Sequence, residues 1–250
     1  MALAIFNSTK ADVLVSDSFN YLDGDLAAVS SGLWTVISGS GNLNVSSGHA
    51  VVSSSLTADD ATAFTPVGAG VLYYGLTATV TSVPGTTGSY LAALWDGETG
   101  AATDYFGRLQ VAQGSTSSKV KFGIINDGSP NTPVYFGSEF DLNSAVQIVV
   151  KFDFSTMTST LWVNPANESS ASVTDSVAAI FSADSTTPGG VATLGNFLLR
   201  QANSIGTTSV DNLVVSTTFV EAVPEPGTVA MVGLGLGVVL YGVRRRRALA

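Results

Sequence analysis

The chain has 250 residues, no cysteine, one histidine and a formal net charge of -9, with only 12% of its residues charged. The missing cysteines exclude a disulfide framework, a zinc-thiolate site and a thiol nucleophile, so stability has to come from apolar burial. Arg244 to Arg247 hold four of the ten basic residues, so the preceding body is more acidic than the total suggests; this excludes a basic face for nucleic acid.

Met1 to Phe6 is apolar, yet shorter than a secretory h-region, and no basic stretch precedes it. Residues 1–11 are expected to be a residual or truncated export signal, ending in a small-residue cleavage site after Ala11. From residue 12 to residue 219 the apolar pattern has period two. Val146, Ile148, Val150, Phe152 and Phe154 alternate with Gln147, Val149, Lys151 and Asp153, the pattern of a strand with one buried face. Further strands are expected at Ser16 to Tyr21, Leu43 to Val52, Val71 to Val83, Tyr90 to Trp95, Phe106 to Ala112 and Val120 to Ile125. They continue at Thr158 to Val163, Ala192 to Arg200 and Ser209 to Thr217. Turn clusters such as Pro84 to Gly88, Asn126 to Pro130 and Thr187 to Gly190 separate them. No stretch of the body keeps helical periodicity for three turns, and no internal repeat is present. One all-β domain of two packed sheets is the expected fold.

Residues 220–227 form a linker holding Val223-Pro224-Glu225-Pro226-Gly227; the uncharged run from Thr228 to Val243 follows, then the basic residues 244–250. As a helix the run covers roughly 24 Å at about 1.5 Å per residue, short of a bilayer core of about 30 Å. The arginine cluster completes the span, because its stems reach the headgroups and its charge marks the cytoplasmic side. The alternative, a buried helix of a soluble domain, has to carry Gly233, Gly235, Gly237 and Gly242, each costing about 1 kcal/mol against Ala. It would also lack a polar face.

This tail resembles the Pro-Glu-Pro C-terminal sorting signal (PEP-CTERM) of Gram-negative bacteria that make extracellular polysaccharide. The resemblance implies that Pro224, Glu225 and Pro226 are recognised by exosortase, a membrane-embedded enzyme that removes the tail. The precursor would be anchored in the inner membrane with Arg244, Arg245, Arg246 and Arg247 inside, and the body would then reach the cell surface or the extracellular space. Two prolines fix an extended segment there, with one carboxylate between them as a handle.

The body, with Ser16 to Tyr21 near its start, Leu43 to Val52 after it and Val210-Asp-Asn-Leu-Val-Val215 at its end, resembles the concanavalin A-like (laminin-G-like) jelly roll. In that fold the first and last strands pair. The resemblance implies a structural Ca²⁺, with a carboxylate from Asp211, a carbonyl from Gly48 and Asp17 as a helper; hard oxygen ligands suit calcium. The plain alternative for Asp211 is a surface residue bonded to neighbouring backbone. The resemblance also implies carbohydrate binding on exposed aromatic platforms. The candidates are Trp95, Tyr105 and the Tyr73-Tyr74 pair, of which one member, taken as Tyr74, faces outward in a regular strand. Trp34 and Trp162 sit among apolar strand residues as core, and packing is the alternative for each platform as well.

Retaining glucanases of the same fold carry a Glu-x-Asp-x-Glu strand. Here Glu139-Phe-Asp141-Leu-Asn143 begins that pattern and ends on an amide, so the second carboxyl of the required pair is missing. His49 has no triad partners in view, and no nucleophile elbow or phosphate loop occurs. The expected function is that of an exported, non-catalytic surface or matrix protein associated with exopolysaccharide or biofilm. The alternative is a carbohydrate-binding module or weak glycoside hydrolase on the same fold.

Overall fold

The computed structural model describes residues 12–97, 105–126, 132–179 and 193–223. In chain order the strands begin with β1 Val13–Asp17, β2 Gly24–Asp25, β3 Thr35–Ser38, β4 Asn44–Ser46, β5 His49–Ser53 and β6 Asp59–Val67. There follow β7 Val71–Ser82, β8 Ser89–Trp95, β9 Tyr105–Gln113, β10 Lys119–Ile125, β11 Val134–Tyr135 and β12 Phe140–Asp141. The rest are β13 Ala145–Asp153, β14 Thr158–Val163, β15 Ser172–Asp175, β16 Leu194–Arg200 and β17 Thr207–Ser216. Two single-turn helices, α1 Leu26–Val29 and α2 Phe219–Ala222, complete the described residues.

The strands form two sheets. The first has the order β15-β14-β13-β7-β17-β5-β4-β2, with β1 also on β17; the second runs β11-β10-β9-β8-β16-β6-β3, with β12 also on β10. The first and last strands pair, Val15 with Val215 and Asp17 with Leu213, which closes the jelly roll on itself. Between the sheets lies one apolar core.

Strand β13 follows its sequence pattern. Val146, Ile148, Val150 and Phe152 are buried in the inter-sheet core, and Phe154, just past the strand, packs half-buried against it. The outward face of the first sheet is covered as well. Val149, Tyr73 and Trp162 pack there under Phe219 and Ala222 of α2, with Phe219 edge-on to Trp162 at 5.2 Å and to Tyr73 at 6.0 Å between centroids. The packed body therefore runs to Ala222, three residues past its expected end at 219, because Phe219 and Ala222 bury apolar surface that would otherwise stay wet. Strand β6 lies where no strand was expected, since its Asp59-Asp60 start breaks the apolar alternation. The Glu139 to Asn143 stretch contains the two-residue strand β12 on β10.

Candidate functional site

Alternation on the second sheet builds an outward cluster distinct from the core. Leu91, Leu94, Phe106, Leu109, Phe197 and Leu199 point between the sheets. Ala61, Ala93, Trp95 and Leu198 pack on the other side, with Tyr90 and Tyr105 half-buried against them. Trp95 faces Tyr105 across the β8–β9 ladder, nearly parallel at 23° with centroids 6.4 Å apart; Tyr90 lies 6.2 Å from Tyr105. A local irregularity in β9 allows this arrangement. Gly107 takes φ +56, and a Cβ there would press on Val150 at 3.3 Å. Phe106 and Leu109 both enter the core across that kink, leaving Tyr105 and Arg108 on the outward side.

Two guanidinium groups join the aromatic rings. Arg200 from β16 sits 4.3 Å from the Tyr90 centroid and donates from Nη1 to Ser89 Oγ at 3.0 Å. Arg108 sits 5.4 Å from the same centroid and donates from Nε to the Tyr105 carbonyl at 3.0 Å. Burial pushes the Tyr90 hydroxyl up to about 12, against the pull of both arginines. Asp59, the cross-strand partner of Arg200, turns its Oδ2 to Ser38 Oγ at 2.8 Å. Burial raises its carboxyl above the ordinary range, with Ser38 and Arg200 opposing that shift. Sequence reading reached Tyr105, named as an exposed platform Trp95, whose ring is buried among Ala61, Ala93 and Leu198, and missed Tyr90, Arg108 and Arg200. The available signal was that Arg108 and Arg200 are the sole arginines ahead of the tail.

Tyr74 is not a platform. Its ring is fully buried in the core, edge-on to Phe197 at 5.1 Å, and its hydroxyl donates to the Gly107 carbonyl at 2.6 Å, tying one sheet to the other. Of the pair, Tyr73 is the outward residue, and it too is buried, donating to Glu168 Oε1 at 2.8 Å. Alternation holds, but α2 and the 164–170 loop cover the outward side. Trp34 and Trp162 are buried as expected.

The three residues expected around calcium do not converge. Asp17 points inward, where Oδ1 accepts from the Phe19 amide at 2.7 Å and Oδ2 from Tyr21 Oη at 2.9 Å and Trp34 Nε1 at 2.7 Å. Hydrogens from three donors thus occupy the positions a cation would need. Asp211 lies on the opposite side of the first sheet. Val210 and Leu213 both enter the core, and the bulge between them, with Asn212 at φ +51, leaves Asp211 facing out. There Oδ1 accepts from the Asn212 amide at 2.7 Å and Oδ2 lies 3.8 Å from His49 Nε2. Gly48 sits in the β4–β5 turn at φ +75. As a single donor set Asp17, Gly48 and Asp211 do not fit calcium, and among the described residues no three His, Cys, Asp or Glu side chains gather. The bulge instead opens a cleft of about 410 Å³ between Asp17–Tyr21 and Asn212–Val214.

The Glu139 carboxylate accepts from the Ser115 amide and from Ser115 Oγ, both at 2.7 Å, while Asp141 pairs with Lys119 at 2.8 Å. Both carboxylates brace the hairpin around β10. His49 Nδ1 lies 2.8 Å from the Ser47 carbonyl, so its ring serves the β4–β5 turn.

Pro224, Glu225, Pro226, the apolar run and Arg244 to Arg247 lie outside the described residues. No helix among the described residues is long and apolar enough to cross a membrane. What the structure fixes is the point where the signal leaves: Val223 follows α2, with its amide on the Phe219 carbonyl at 3.1 Å.

A model of the PEP-CTERM protein-sorting motif matches residues 222–247. No curated protein matches the chain. Among solved structures the chain is similar to lectin UEA-II complexed with galactose, with TM-score 0.51 and 12% identity over 82% of this chain and 98% of that one. It is also similar to the globular domain of T. cruzi calreticulin, with TM-score 0.48 and 12% identity over 84% and 90%. The carbohydrate recognition domain of Emp47p aligns with TM-score 0.44 and 14% identity over 84% and 97%. At these identities the likeness is one of fold, and of the three only the UEA-II alignment bears weight. The body is a jelly-roll β-sandwich similar in fold to the concanavalin A-like lectins. The chain carries a PEP-CTERM sorting signal behind it.

Proposed function

We propose that this is an exported cell-surface or matrix protein, handed to exosortase by its C-terminal signal, whose jelly-roll body binds carbohydrate without cleaving it. The observation that carries the reading is the motif match at 222–247 directly behind a lectin-like body whose last packed helix ends at Ala222. Before processing, the apolar run from Thr228 to Val243 holds the precursor in the inner membrane with Arg244 to Arg247 on the cytoplasmic side. Afterwards the body joins the extracellular polysaccharide of the cell surface or biofilm. For binding, the outward face of the second sheet offers half-buried rings on which sugars stack, Tyr90 and Tyr105, with Trp95 buried beside them as their support. Against hydrolysis stand Glu139 and Asp141, each held by hairpin neighbours, with Asn143 where a second glutamate would be needed.

Mass spectrometry of the mature C-terminus, with cell fractionation, tests the sorting half. The chain is expected to end near Pro224 to Pro226 and the body to be found outside the cytoplasm. Glu225→Ala is expected to leave precursor in the inner membrane. A mature chain still carrying Arg247 in a host with active exosortase overturns this half.

A further inference from the structure

We propose that the ligand of the outward face of the second sheet is an acidic polysaccharide, whose uronate carboxylates are read by Arg200. This rests on the reading of that face as the carbohydrate-binding one and names the class of sugar it takes.

Charge carries the inference. The body is acidic, and its described residues hold five basic side chains: Arg108, Lys119, Lys121, Lys151 and Arg200. Both arginines of the body lie on one aromatic patch and over one ring, that of Tyr90. A structural counter-ion role would put a carboxylate against Arg200. Asp59 is its cross-strand partner and the two charges act on each other, but Asp59 Oδ2 turns to Ser38 and, among the described residues, no ion pair closes between them. Arg200 has the Ser89 hydroxyl, the Tyr90 ring and, across the ladder, Asp59 as neighbours. Its guanidinium has five donors in a planar fork, and the hydrogen bond to Ser89 Oγ engages one nitrogen, Nη1.

A half-buried guanidinium held against a ring matches a carboxylate bidentately, and reduced contact with water limits screening of the pair. A hexuronic acid presents both halves of that recognition, since its ring face stacks on an aromatic side chain while its carboxylate reaches past the edge. Neutral sugars would leave Arg200 unmatched. The net negative charge of the body disfavours a polyanion on the surface at large, so such a ligand needs the local positive charge of this patch.

The test uses the full-length protein in detergent, with immobilised polyguluronate and polygalacturonate, the same polymers after reduction of their carboxyls to alcohols, a neutral β-glucan and a sulfated galactan. Binding to the polyuronates is expected, falling as salt rises, and about tenfold weaker on the reduced polymers. Arg200→Ala is expected to lose a similar factor, and Arg200→Lys to recover part of it, because charge returns without the fork. Melting curves of both variants check that the fold persists. Binding to the neutral or reduced polymers as strong as to the polyuronates, with Arg200→Ala unaffected, overturns the uronate inference and leaves the carbohydrate-binding reading standing. Equal binding to the sulfated galactan also overturns it, in favour of charge attraction without carboxylate recognition. Binding to none of the polymers overturns both.

Discussion

Trp34 donates its indole Nε1–H to Asp17 Oδ2 at 2.7 Å, joining β1 to a ring buried under Phe197. The same carboxylate accepts from the Phe19 amide and from Tyr21 Oη. One side chain thus fixes the Phe19–Tyr21 turn, which includes the backbone of Phe19 at φ +50, and orients the largest fully buried side chain of the core.

Asp17→Ala is therefore expected to destabilise the body by about 2–4 kcal/mol, because three donors lose a charged acceptor and one of them is a buried indole N–H. Denaturant midpoints measure the loss. The same loss is expected with calcium or with a chelator, since these contacts leave Asp17 no role as a cation ligand. A loss that appears only in the presence of calcium would refute the assignment.

Asp60 poses the opposite problem. It is fully buried, and neither carboxylate oxygen has a hydrogen-bond partner. Burial, then Asp25 and Asp59, push its carboxyl from 3.8 up to about 6. With the folded value above the unfolded one, the folded state holds more protons between the two, so stability falls as pH rises through that window. Asp60→Asn is expected to stabilise the protein at neutral pH by about 1–2 kcal/mol, allowing for screening, and the gain should shrink towards pH 4. Thermal melts of both proteins across that range check it, and a pH-independent difference would contradict it.

Much of this architecture was legible in the chain. The alternation from Val146 to Phe152 named its buried face correctly, since a half-covered strand records its two environments residue by residue. Strand β6 was hidden because Asp60 and Thr62 put polar groups on an inward face. The Tyr73-Tyr74 pair was misread for a different reason: period two requires one of them to face outward but does not say which, and the cover over Tyr73 comes from Phe219, far along the sequence. The candidate site has the same non-local character. Tyr90, Arg108 and Arg200 sit on three strands, and only the β9–β8–β16 pairing brings them to one ring.

Phe219 anchors the exit of the sorting signal. Phe219→Ala is expected to cost about 2–4 kcal/mol, as it removes a buried ring stacked edge-on against Tyr73 and Trp162. Limited proteolysis should then cut near residues 217–223 well before the sandwich unfolds. Tyr73→Phe, which removes only the hydroxyl bonded to Glu168, should cost about 1 kcal/mol. Equal protection of that segment in the Phe219→Ala and unaltered proteins would show that α2 is held by something else.

Tyr74 and Tyr105 separate the core from the binding face. Tyr74→Phe leaves the Gly107 carbonyl without its inter-sheet donor in a fully buried site, so it should lower stability by about 1–2 kcal/mol. Glycan affinity should stay unchanged, because the ring lies beneath the second sheet and not on it. Tyr105→Ala should do the reverse. It removes a half-buried ring stacked over Trp95, costing little in the melting curve and about tenfold in binding to the polyuronates. Isothermal titration against those polymers, paired with melts of both variants, checks the contrast. If Tyr74→Phe weakened binding as much as Tyr105→Ala did, the outward face of the second sheet would not be the site.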